Sequence, residues 1–157
     1  MYYSQRRGAF IKDYLEESSK PLFPFGYGLS YTTFEFSDYC AEKDTISAGE
    51  NFRFSFQVRN TGKYRGAEVV QVYCSDLVTS VSRPEKLLVR FKKVFLDPGE
   101  SKTIDFVIHP EEDLSFTGAD YKKALEPGEF RVLIGNSSDN ILIENNFYIK
   151  HKSNNKR

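Results

Sequence analysis

Phe52-Arg53-Phe54-Ser55-Phe56-Gln57-Val58-Arg59 alternates apolar and polar side chains without a break. A period of two is the mark of a β-strand with one face on a core and the other in water. Turn residues bound it on both sides, Ser47-Ala48-Gly49-Glu50 before and Asn60-Thr61-Gly62-Lys63 after. The same period recurs outward from this stretch. Upstream, Phe34 and Phe36 alternate with Glu35 and Ser37. Downstream, residues 66–75 are apolar on both faces, with Val70, Val72 and Cys74 on one and Val69 and Tyr73 on the other. That pattern predicts a strand covered on both sides, the outer one by a neighbouring domain. Residues 76–85 are polar, broken by Pro84, and read as a loop. Residues 88–96 read as a strand with Phe91 and Val94 in the core and Arg90, Lys92 and Lys93 solvated. Beyond the turn Asp97-Pro98-Gly99-Glu100, Ile104, Phe106 and Ile108 alternate with Thr103, Asp105 and Val107. Leu114 and Phe116 suggest a short strand. Phe130, Val132 and Ile134 mark another after Glu126-Pro127-Gly128, and residues 141–149 close the sheet. About seven or eight short strands separated by Gly and Pro turns predict an all-β chain, an antiparallel β-sandwich. No helical period extends past residue 20.

Composition narrows the function. Of 157 residues, 22 are basic and 22 acidic, so the formal charge is zero and offers no electrostatic footprint for nucleic acid or an anionic membrane. No stretch approaches the length of an apolar membrane span. No apolar region follows Met1, so no signal peptide is read and a cytoplasmic setting is favoured. Cys40 and Cys74 are too few for a metal site or a disulfide framework, and free thiols are expected. His109 and His151 stand far apart without a cluster of ligands, which argues against a bound metal; no cofactor is implied. Gly26-Tyr27-Gly28 follows no strand and opens no helix, so it is not a phosphate loop. Asn136-Ser137-Ser138 matches a glycosylation sequon but reads better as a polar turn after a strand. Glu100 and Glu129 each follow Pro-Gly, where a solvated turn carboxylate is the natural reading.

The segment before the first strand has a different character. In Pro21-Leu22-Phe23-Pro24-Phe25-Gly26-Tyr27-Gly28-Leu29-Ser30-Tyr31 the prolines exclude helix interior and central strand, yet the apolar content is far too high for a free linker. Such a tether is made to lie against an apolar surface. With its continuation Thr32-Thr33-Phe34-Glu35-Phe36-Ser37-Asp38, it resembles the entry into the C-terminal fibronectin type III-like domain of glycoside hydrolase family 3 enzymes, the β-glucosidases and β-xylosidases. The likeness continues through Asn60-Thr61-Gly62, Gly66-Ala67-Glu68-Val69-Val70-Gln71-Val72-Tyr73, Ser82-Arg83-Pro84, Phe91-Lys92-Lys93-Val94, Pro98-Gly99-Glu100-Ser101, Asp113-Leu114-Ser115-Phe116, Glu126-Pro127-Gly128-Glu129-Phe130 and Ile134-Gly135-Asn136-Ser137-Ser138.

The resemblance implies an immunoglobulin-like sandwich over residues 33–150. Residues 1–20 would be a remnant of a preceding α/β domain, 21–32 an interdomain tether and 151–157 a disordered tail. It also implies that the catalytic carboxylates lie in other domains, since neither of the family's catalytic motifs occurs here. The chain is then a non-catalytic accessory domain whose partners are the catalytic domains of its parent. Phe23, Phe25, Tyr27 and Tyr31 would pack the seam, with Arg83 a loop anchor or interdomain ion pair. Where the family commonly has Lys-Gly-Phe, this chain has Val89-Arg90-Phe91. Without its parent the chain should self-associate weakly. The alternative is a freestanding carbohydrate-binding or adhesion module using Tyr27, Tyr31, Tyr64 or Tyr121 as a stacking platform.

Overall fold

A computed structural model describes residues 21–77, 84–118 and 121–150. Seven strands of eight residues or more carry the fold: β1 (Phe34–Ala41), β3 (Phe52–Asn60), β4 (Gly66–Asp76), β5 (Leu87–Leu96), β6 (Ser101–Ile108), β9 (Gly128–Gly135) and β10 (Ile141–Lys150). Three shorter ones join them: β2 (Thr45–Ser47), β7 (Phe116–Thr117) and β8 (Lys123–Ala124). One sheet runs β1-β3-β6, a second runs β2-β10-β9-β4-β5, and β7 and β8 form a separate hairpin.

The core lies between the two large sheets. From β3, Phe52, Phe54, Phe56 and Val58 point inward and are buried. Facing them are Val70 and Val72 of β4, Phe130 and Val132 of β9 and Phe147 of β10. Phe52 stacks on Phe147 at 4.1 Å between ring centres, tying the sheets face to face. Within the smaller sheet Phe54 and Phe106 are register partners, with rings 6.0 Å apart. The strict alternation of residues 52–59 is therefore one strand's contribution to an aromatic interior.

Several expectations are corrected. Phe91 is 69% exposed rather than in the core. Side chains alternate along a strand, so residues 91 and 94 cannot share a face, and Val94 and Leu96 take the inner one. Arg90 is half-buried instead of solvated, its guanidinium forked onto Asp113 at 2.8 and 2.7 Å. Leu114 is buried at the end of a one-turn helix, α1 (Pro110–Asp113), and only Phe116 enters a strand. Pro110 opens that turn, where its missing N–H costs nothing, and Asp113 accepts from the His109 N–H at 2.7 Å. The turn before β3 contains β2, which pairs parallel to the end of β10, so the sheets are not wholly antiparallel. Residues 1–20, expected to be a remnant of a preceding domain, and the tail from 151 lie outside the described residues.

Candidate interdomain surface

The tether, residues 21–32, is fastened to its own sandwich by backbone and polar groups, while its apolar side chains face outward. Two anchors hold it.

The first anchor lies on the outer face of the five-stranded sheet. A turn closed by the Tyr27 N–H on the Pro24 carbonyl brings the Phe23 and Tyr27 rings to 5.5 Å. Gly26 takes φ 76°, and its carbonyl accepts from Gln71 Nε2 of β4 at 2.9 Å. A Cβ at Gly26 would overlap the Gln71 amide, so glycine is required there for both conformation and space. The same Nε2 donates to the Asn136 carbonyl at 2.7 Å, and the Tyr73 hydroxyl donates to Gln71 Oε1 at 2.5 Å. Gln71 is buried, and both ends of its amide are satisfied. Burial pushes the Tyr73 phenol up to about 12. Beside this, the Ser138 N–H donates to the Phe25 carbonyl at 2.9 Å, and Lys86 Nζ donates to the Ser138 carbonyl at 2.6 Å.

Asn136 extends the network: its Nδ2 donates to Glu68 Oε2 at 3.4 Å, and Glu68 Oε1 accepts from the Val69 N–H at 2.9 Å. Burial raises the Glu68 carboxyl above its ordinary range, although these two donors pull it down. With Ser137 buried and its Oγ bonded to the Asn140 N–H, the sequon is a structured turn after β9.

The second anchor is Asn60, at the end of β3. Thr32 Oγ1 donates to Asn60 Oδ1 at 2.7 Å, and the Thr61 N–H donates to the Thr33 carbonyl at 2.9 Å. A Cβ at Gly62 would strike Thr32, so the close approach of this loop needs glycine.

Outside these anchors Leu22, Phe23, Phe25, Tyr27 and Leu29 are exposed, and Tyr31 is 97% exposed. Sequence reasoning found this apolar tether from its composition. It missed Gln71 and Asn60, which reach it across 45 and 28 residues of chain. Arg83 lies outside the described residues. Tyr64 and Tyr121 are exposed, and Tyr121 stands at φ 61° between β7 and β8.

Nothing among the described residues forms a catalytic or metal constellation. No group of three His, Cys, Asp or Glu side chains converges there. A shallow depression of about 240 Å³ is lined by Glu42, Lys43, Glu50, Asn51 and Arg53. Its Glu50 accepts from the Ser47 N–H at 2.7 Å and from Lys43 at 3.2 Å, which holds its carboxyl low. Glycoside hydrolysis needs an acid with a raised pKa facing a second carboxylate. Here the raised carboxyl, Glu68, is bonded to Val69 and Asn136 instead. Cys40 and Cys74 are free thiols, and burial drives the Cys74 thiol upward, away from reactivity.

Residues 68–138 match the family described as the fibronectin type III-like domain. A putative β-xylosidase from Formosa agariphila is 44% identical over 137 residues, which is 87% of this chain and 18% of that protein. The thermostable β-glucosidase B of Acetivibrio thermocellus is 42% identical over 141 residues, 88% of this chain and 19% of that one. A β-glucosidase structure from Erythrobacter marinus superposes with a TM-score of 0.86 at 39% identity, covering 96% of this chain and 20% of that one. The chain thus spans about a fifth of the length of these relatives.

Proposed function

We propose that the chain is a non-catalytic accessory domain of a glycoside hydrolase family 3 enzyme, a reading supported by the match of residues 68–138 to the fibronectin type III-like domain and by the β-xylosidase and β-glucosidase relatives. It buttresses the catalytic domains and the pocket between them; the parent hydrolyses terminal β-linked glucose or a related sugar such as xylose. Residues 33–150 are the domain proper and residues 21–32 the tether that meets its neighbours, with Phe23, Phe25, Tyr27 and Tyr31 filling the seam and Arg83 anchoring the adjoining loop.

The observation that carries this reading is the tether itself. Its backbone is fixed by Gln71 and Ser138 and its Thr32 hydroxyl by Asn60, yet its aromatic side chains are turned to solvent. Ordering a backbone costs entropy, and burying those rings on the sandwich would have repaid it. A segment held rigid with its apolar side outward is built to cover something else.

The test is a graft. This chain replaces the matched segment of the Acetivibrio thermocellus β-glucosidase, and turnover of an aryl β-glucoside is measured beside the truncated enzyme and the isolated chain. The expected result is activity restored by the graft and none from the isolated chain. Turnover by the isolated chain that is lost on changing one of its own carboxylates overturns the reading. So does saturable binding of cello- or xylo-oligosaccharides lost in Tyr27→Ser, which makes the chain a freestanding carbohydrate module.

A further inference from the structure

The outer face of β5 carries a second apolar surface. Gln71, whose amide holds the tether, is the register partner of Phe91, and Ala67 is the partner of Phe95. Partners across an antiparallel pair share a face, so Phe91 and Phe95 project on the side where Gly26 docks. They are 69% and 59% exposed. Val69, on the same face between them and the tether, is at the edge of exposure. Lys93 Nζ rests 5.3 Å from the centre of the Phe95 ring, and no carboxylate pairs with it among the described residues. Lys86, at the other side of the first anchor, spends its ammonium on a backbone carbonyl.

We propose that this face of β4 and β5, centred on Phe91 and Phe95, is the second half of the seam begun by the tether. Its occupant is an apolar, carboxylate-rimmed surface on the catalytic part of the same longer polypeptide. The inference rests on the accessory-domain reading. Three observations favour that occupant over another copy or a sugar. The face is continuous with the tether through the Gln71–Phe91 pair, so whatever covers one reaches the other. Relatives carry about four-fifths of their length outside the matched segment, ample to cover both. The ammonium of Lys93 within the patch, over the Phe95 ring and without a carboxylate partner among the described residues, sets the charge of the partner's rim. Two phenylalanines on an edge strand would otherwise be a liability for association. This placement also explains why the apolar side chain at 91 is kept where strand parity denies it the core.

Hydroxyl-radical footprinting of the grafted Acetivibrio thermocellus enzyme tests it, read at Phe91 and Phe95 against the isolated chain. The expected result is oxidation of both rings slowed roughly fivefold or more in the graft, as for side chains shut from water at an interface core. Phe91→Ser with Phe95→Ser should lower the melting temperature of the graft while leaving that of the isolated chain unchanged. An active graft whose two rings are oxidised as fast as in the isolated chain overturns this inference and leaves the accessory-domain reading standing. A graft that restores no activity overturns both. Protection that appears on concentrating the isolated chain and does not deepen in the graft makes a second copy the occupant. Protection by cello-oligosaccharides makes the face a sugar platform. Either outcome overturns the proposal.

Discussion

Asn60 has no exposed surface, and every hydrogen-bonding position of its side chain is used. Its Nδ2 donates to the Tyr64 and Leu96 carbonyls, and its Oδ1 accepts from the Gly62 N–H and the Thr32 hydroxyl. One side chain thus joins the end of β3, the following loop, the end of β5 and the tether. Asn60→Ala strands several buried groups at once, each worth about 1–3 kcal/mol when left without a partner. A loss of at least about 3 kcal/mol in urea melts is the expected result, whereas Asn146→Ala, which removes an exposed bond to Glu129, should stay within about 0.5 kcal/mol. Glu68 supplies a pH signature. Burial favours its neutral form in the folded chain, so its folded pKa lies above its unfolded one. As pH rises the unfolded chain releases this proton first, and the folded chain binds the excess. The contribution to stability is therefore full below the unfolded pKa and is lost as pH climbs through the folded pKa. Glu68→Gln fixes the neutral form. Its stability relative to wild type should rise between about pH 4 and pH 7; a flat difference across that range would mean that the carboxyl does not feel its burial.

Strand β3 shows what periodicity can specify. Phe54 is buried among Phe52, Phe56 and Phe106, while Arg53 next to it is exposed. Phe54→Ala should cost about 3–5 kcal/mol and Arg53→Ala about 0.5 kcal/mol or less, measured by chemical denaturation. Equal losses would place the register one residue out. Strands of this kind were legible because one face is wet and the other dry. β5 was less so: with cations and apolar residues interleaved, both Phe91 and Val94 looked like core, and only the strand's period of two separates them. Arg90 looked solvated because the carboxylate that holds it, Asp113, lies 23 residues away on a turn too short to leave a pattern. β2 was hidden for a similar reason. Three residues beside a Gly turn carry no period, and their pairing is set by the far end of the chain, where the Tyr148 N–H donates to the Asp44 carbonyl.

At the scale of the molecule the sandwich closes its own core and still leaves an ordered apolar tether outside it. Composition alone exposed the mismatch, because Leu22, Phe23, Phe25, Tyr27, Leu29 and Tyr31 are too apolar for a linker and too irregular for a strand. What composition could not show is that the tether would be pinned by its backbone, since the pins come from residues far along the chain. Backbone pinning separates two quantities that usually move together, the stability of the sandwich and the stickiness of its surface. Six large apolar side chains of one segment are left in solvent, so the chain on its own should associate weakly. Phe25→Ser with Tyr27→Ser removes two of those rings and leaves the Phe25 carbonyl free to accept from the Ser138 N–H. In sedimentation the wild-type mass should rise with concentration, and that of the double variant should rise less. Its melting temperature should fall only slightly, by about what surface substitutions cost. Hydrogen exchange supplies the second half of the test. The Ser138 amide should stay protected in the variant, because its partner is main chain. A variant that unfolds would mean that the rings hold the sandwich together, and one that associates like wild type would mean that the adhesive surface lies elsewhere.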